Sequence, residues 1–104
     1  MKSIKLVFLG FGNVGRALAR LLLGKRQQLR QDGIDWRVVG IATARHGAAL
    51  DQGGIPLPQA LQLAQSGENL ASLSKTPAPK DGVPFLHASG ADILFENTPV
   101  NYQT

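Results

Sequence analysis

The N-terminal run Ile4-Lys5-Leu6-Val7-Phe8-Leu9-Gly10-Phe11-Gly12-Asn13-Val14-Gly15-Arg16-Ala17-Leu18-Ala19-Arg20 joins an apolar, strand-length segment to an alanine- and leucine-rich helical one through three glycines. Gly10-x-Gly12-x-x-Gly15 alone is a weak signal. Between a strand and a helix it acquires a mechanism. Gly10 permits a tight turn, Gly12 lets the backbone approach a pyrophosphate, and Gly15 lets the helix pack closely on the strand. Unpaired N–H groups at the helix start then face the phosphates, assisted by the helix dipole. A strand-to-helix turn whose glycines serve packing alone is the alternative.

The chain has 104 residues, room for one small domain and little more than the first βαβαβ half of a dinucleotide-binding fold. With 43% hydrophobic and 17% charged residues its composition is that of a globular protein. The absence of cysteine excludes disulfides, thiolate metal sites and a cysteine nucleophile. No apolar run approaches the roughly 20 residues of a membrane span, and the start lacks a cleavage site, so a cytoplasmic, membrane-free protein is expected. The net charge is +4, with Arg16, Arg20, Lys25, Arg26 and Arg30 on or just after the first helix. No aromatics interleave with them, which favours a solvated helix face over a nucleic-acid footprint. Arg16 is separate: a cation in a first helical turn opposes the dipole, and a phosphate neighbour would account for it.

The pattern predicts a strand over Ile4–Leu9, a helix from Asn13 towards Gln31, and a parallel strand over Trp36–Thr43. Val14, Leu18, Leu21, Leu22 and Leu29 mark the helix's apolar side, and Asp32-Gly33 its stop. Ala44 to Gly54 reads as loop, Pro58–Gln65 as a short helix, and Asn69–Ser74 as a helical turn or two. Thr76 to Pro84 reads as loop, Phe85–His87 as a short edge strand, and Ala91–Glu96 as a third parallel strand stopped by Asn97-Thr98-Pro99. The expected class is α/β: a Rossmann-like parallel sheet with flanking helices, incomplete, as in an excised N-terminal part of a longer protein.

An acidic residue about 20 positions beyond the glycines usually holds the adenosine ribose. Asp35 fits by count but precedes the second strand, whereas ligands of open α/β sheets bind at the carboxyl ends. Thr43, Ala44 and Arg45 stand at that end. Arg45 pairs well with a 2′-phosphate and no carboxylate is present to repel it, so NADP is favoured over NAD. A solvated loop arginine is the other reading. Asn97, Thr98 and Pro99 end the third strand on the same sheet edge, either lining a nicotinamide site or serving as a polar stop. His46 and His87 have no ligating neighbours, so no metal site is expected, and no catalytic constellation is visible. The cofactor-binding set is therefore Gly10, Phe11, Gly12, Asn13, Val14, Gly15, Thr43, Arg45, Asn97, Thr98 and Pro99.

The glycine block, Val39-Gly40-Ile41-Ala42-Thr43, and above all Asp92-Ile93-Leu94-Phe95-Glu96-Asn97-Thr98-Pro99, resemble the N-terminal part of homoserine dehydrogenase. The resemblance covers nearly the whole chain. It implies an NAD(P)-binding domain over 1–104 whose partner domain, beyond Thr104, supplies the dimer interface, the small-molecule substrate pocket and the catalytic lysines. It also implies reversible hydride transfer between L-homoserine and L-aspartate 4-semialdehyde, in the pathway to threonine and methionine. It assigns Gly10, Gly12, Asn13, Val14 and Gly15 to the pyrophosphate, Arg45 to the adenosine ribose, and Asn97, Thr98 and Pro99 to the nicotinamide. On this reading the chain binds a dinucleotide, belongs to a homo-oligomer, and is inactive and prone to self-association alone. The other readings are a different NAD(P)-dependent amino-acid dehydrogenase and a regulatory nucleotide-sensing module.

Overall fold

The computed structural model describes residues 2–43, 46–76, 78 and 82–96. Strand β1 (Lys2–Leu9) leads through the glycines into helix α1 (Asn13–Gln31), which returns to strand β2 (Ile34–Ala42). Strand β3 (Ala48–Leu50), helix α2 (Leu57–Gln65), a 3₁₀ turn (Leu70–Leu73), helix α3 (Gly82–Ser89) and strand β4 (Ile93–Glu96) follow. The sheet order is β3-β2-β1-β4. β1 is parallel to both β2 and β4, and β3 runs antiparallel to β2.

The centre of the sheet, β1 and β2, is buried on two faces because these strands are apolar on both. Leu6 and Phe8 of β1, with Trp36, Val38 and Ile41 of β2, face α1 and α2. Val7 joins Leu50 and Phe85 of α3 on the other side. The β1–β2 register slips by one residue between Leu6 and Val7, so that Leu6 faces Val38 but Val7 faces Gly40. The slip lets Val38 and Ile41, three positions apart in number, pack on the same face.

Helix α1 buries Gly15 and Ala19 and packs Leu18, Leu22 and Leu29 against the core. Val14 and Leu21, expected on that side, are 70% and 57% exposed. Seven residues apart, they share a flank the apolar stripe does not reach. The helix stops where the Asp32 N–H bonds Gln28 and Leu29 carbonyls and Gly33 takes a φ of 82°, a left-handed conformation that favours glycine.

Two expectations are corrected. The stretch from Ala44 to Gly54, expected as loop, contains β3, which makes the sheet mixed rather than all parallel. Thr43 closes the intervening turn: its N–H and hydroxyl both donate to the Gly47 carbonyl, at 3.1 and 2.6 Å. Phe85-Leu86-His87, expected as an edge strand, lies within α3. Pro84 is compatible with that helix because it falls near its start, where N–H groups have no intrahelical partner. No helix among the described residues is long and apolar enough to cross a membrane.

Candidate functional site

β1 is flanked on one side by β2, reached through α1, and on the other by β4. Successive strands build outward from β1 through β2 to β3 and then return to β4 on its other side, so the strand order reverses at β1. In open α/β sheets that switch point is where ligands bind. Leu9, the last residue of β1, is in register with Ala42 of β2 and Glu96 of β4. The glycine turn, Thr43 and the end of β4 thus share one sheet edge.

Within the turn each residue has a separate task. Gly10 is buried at φ 97°, a conformation that disfavours side chains, and its N–H bonds the Ala42 carbonyl at 2.7 Å. Phe11 is buried and meets Phe8 edge-on, ring centroids 5.6 Å apart. Its side chain is thus a core anchor, and only its backbone is left to face a ligand. Gly12 is exposed and is the N-cap of α1 in extended conformation, and a Cβ there would meet nothing within 4 Å. Gly15 is buried in the first turn of the helix, as close helix–sheet packing requires.

The start of α1 is electropositive and unsatisfied. No side chain caps it and no acidic residue lies in its first turn. The N–H groups of Asn13, Val14 and Gly15 have no hydrogen-bond partner among the described residues; the first amide to find one is Arg16, bonded to the Gly12 carbonyl at 2.9 Å. Such a terminus suits an anion. Open space over Gly12, free amides and the missing carboxylate fit the phosphates of a dinucleotide.

Asp35 lies at the opposite end of the sheet, in register with Ser3 near the start of β1. Its carboxylate pairs with Arg30 at 3.3 Å and accepts the Trp36 N–H at 3.0 Å. Desolvation pulls the carboxyl pKa upward, but these hydrogen bonds and the charges of Arg30 and Arg26 outweigh it and lower the value. The acidic residue found by counting is therefore a structural partner of α1. Arg26 is also committed, its guanidinium 3.8 Å from the Trp36 ring centroid.

Thr43 sits at the carboxyl end of β2, where the sequence placed it. Its hydroxyl also accepts the His46 N–H at 2.7 Å, and the His46 carbonyl accepts from Leu70 at 2.7 Å. The hydroxyl holds the turn, a role that residue type and spacing did not reveal. Arg45, Asn97, Thr98 and Pro99 lie outside the described residues. His87 is exposed in the last turn of α3.

No family model matches the chain. It is 26% identical over 99 residues to a homoserine dehydrogenase of Methanocaldococcus jannaschii, covering 95% of this chain and 29% of that protein. It is 29% identical over 102 residues to an NAD(+)-dependent homoserine dehydrogenase of Pseudomonas canavaninivorans, covering 97% and 29%. The chain's relatives are homoserine dehydrogenases. It spans less than a third of their length. Solved structures agree in fold. Homoserine dehydrogenase from Thermoplasma acidophilum superposes with a TM-score of 0.68 at 22% identity, covering 97% of this chain and 28% of that one. A hyperthermophilic archaeal homoserine dehydrogenase in complex with NADPH gives 0.71 at 23% identity, covering 92% and 28%.

Proposed function

We propose that this chain is the dinucleotide-binding part of an NAD(P)-dependent homoserine dehydrogenase. The observation that carries the proposal is an uncapped glycine turn at the sheet's switch point, in a chain whose relatives are homoserine dehydrogenases. The pyrophosphate lies against the amides of Asn13, Val14 and Gly15, with Gly12 leaving its approach open. Thr43 stands at the carboxyl end of β2, Arg45 is assigned to the adenosine end, and Asn97, Thr98 and Pro99 are assigned to the nicotinamide end. The bound cofactor supplies the hydride carrier. The substrate pocket and the catalytic groups belong to another domain of a longer, oligomeric protein, so this chain alone has no dehydrogenase turnover.

A preference for NADP rests on Arg45 and on the commitment of Asp35 elsewhere, and the archaeal neighbour that binds NADPH supports it. The NAD(+)-dependent relative favours the other cofactor. Calorimetry with NADPH and NADH decides both questions. Gly12→Val should abolish binding of either dinucleotide while circular dichroism shows an intact fold; unchanged affinity in the folded variant overturns the site. Arg45→Ala should bring the two affinities together, and a wild-type chain that binds NADH at least as well as NADPH refutes the preference.

A further inference from the structure

Arg16 is the one side chain that folds back over the glycine turn from α1. Its Nε donates to the Gly12 carbonyl at 3.2 Å and one Nη to the Asn13 Oδ1 at 2.9 Å. A cation here lies beside the positive end of the helix dipole, with no acidic residue in the first turn to offset it. Two further arginines of α1 show what an arginine with a purely structural task looks like. Arg26 stacks on Trp36, and Arg30 pairs with Asp35. Arg16 has neither an aromatic face nor a carboxylate among the described residues. The two acceptors it does find leave part of its planar fork of donors unused.

We infer that Arg16 is a ligand of the dinucleotide pyrophosphate, and that the Asn13 side chain is the positioning residue that holds its guanidinium beside the turn. The inference rests on the dinucleotide reading above and adds a side-chain contact to it. In the free chain the Gly12 carbonyl and Asn13 Oδ1 keep the guanidinium next to the open amides instead of extended into solvent. A pyrophosphate docked on those amides then meets a cation already in place, with donors left over. Pre-placement lowers the ordering cost of the contact. The pyrophosphate is common to both dinucleotides, so Arg16 strengthens binding without choosing between them.

The test is calorimetry with NADPH and NADH on the wild-type chain, Arg16→Gln, Asn13→Ala, the double variant, and Gly12→Val as reference. Arg16→Gln is expected to weaken both dinucleotides by the same factor, about tenfold for a charge-assisted contact near solvent. Asn13→Ala is expected to weaken both a few-fold in the wild-type background and to have no further effect once Arg16 is gone. Wild-type affinity in Arg16→Gln overturns the inference, and so does a loss confined to NADPH, which places the cation at the 2′-phosphate. An Asn13→Ala effect of equal size in both backgrounds overturns the positioning role. If Arg16→Gln fails to fold by circular dichroism, Arg16→Lys carries the test: it keeps the charge but not the fork. It should bind both dinucleotides about threefold more weakly, and equality with wild type overturns the inference. A wild-type chain that binds neither dinucleotide, or a folded Gly12→Val chain that binds normally, overturns the underlying site instead.

Discussion

Replacing Gly12 with serine should move stability and cofactor affinity in opposite directions. Gly12 occupies the N-cap at φ −82° and ψ −153°, an extended conformation open to any residue, and a Cβ there meets nothing within 4 Å. The helix has no side-chain cap, so the serine hydroxyl gains an acceptor role towards the free amides. Serine exceeds glycine at an N-cap by a few tenths of a kcal/mol, and loss of unfolded-state freedom adds about 0.4–1 kcal/mol. The expected gain is about 0.5–1 kcal/mol, which raises Tm by roughly 2–8 °C for a domain of this size. The same side chain stands where phosphate oxygens must reach the amides. Losing two charge-assisted hydrogen bonds at about 1.5–3 kcal/mol each weakens binding by at least about a hundredfold. Thermal denaturation by circular dichroism and calorimetry with NADPH read the two quantities. A variant with raised Tm and wild-type affinity refutes the site. A lower Tm refutes the claim that Gly12 is free of structural demand and that its glycine serves the ligand alone.

Gly40→Ala places a Cβ 2.9 Å from Val7 Cγ2 and 3.0 Å from the Phe85 ring, both fully buried, and should destabilise the fold by about 1–3 kcal/mol in urea titration. Gly24→Ala, at an exposed position inside α1 with open space around it, should stabilise by about 0.5–1 kcal/mol in the same assay. The Asp35 carboxyl, held below its ordinary 3.8, stabilises the fold above that pH, and the contribution is lost as pH falls through the lowered value. An NMR titration should find the Asp35 midpoint low in the wild type and higher in Arg30→Ala; a wild-type midpoint at or above the ordinary value refutes the pairing. Ile93 and Leu94 of β4 are 42% and 40% exposed on an edge with no further strand among the described residues, so Leu94→Lys should reduce self-association by light scattering.

Strands β1, β2 and β4, helix α1 and the glycine turn were legible because their signals are local. β1 is one apolar run ended by glycines, and α1 stops at an Asp-Gly pair. What was missed depends on distant partners. Phe85-Leu86-His87 carries no helical period of its own. Its place is set by Gly40, whose missing Cβ leaves the room that the Phe85 ring takes. Ala48-Ala49-Leu50 has no β-branched residue, and its strand is made by the Thr43–Gly47 closure on one side and by Ser74 on the other. The place of Thr43 at the carboxyl end of β2 was legible, but its hydroxyl bonds depend on a turn that had been expected as loop. Asp35 shows the converse: the count from the glycines selects it, and strand direction removes it.

The two edges of the sheet differ in how they are finished. Ser74 accepts the Leu50 N–H at 2.9 Å and the Lys75 N–H reaches the Leu50 carbonyl at 2.8 Å, so the outer side of β3 is covered by the chain itself. β3 is also short and alanine-rich, which makes it a poor template for another strand. β4 is tied to β1 by its register and by Asp92, whose carboxylate accepts the Lys5 N–H at 2.9 Å while its own N–H returns to the Lys5 carbonyl at 2.8 Å. Ile93-Leu94-Phe95 is apolar at successive positions, and therefore on both faces, the pattern of a strand covered from two sides. Of the three, only Phe95 is packed, its ring centroid 5.3 Å from that of Phe8. The sequence of β4 thus asks for more cover than the described residues give it, and the demand falls beside the sheet edge where the glycine turn lies. On the proposed dinucleotide reading, an element packed over β4 would stand beside the glycine turn and add a wall to that site. Cofactor affinity and edge protection are therefore coupled: measured on this chain, the affinity should lie below that of a protein in which β4 is covered.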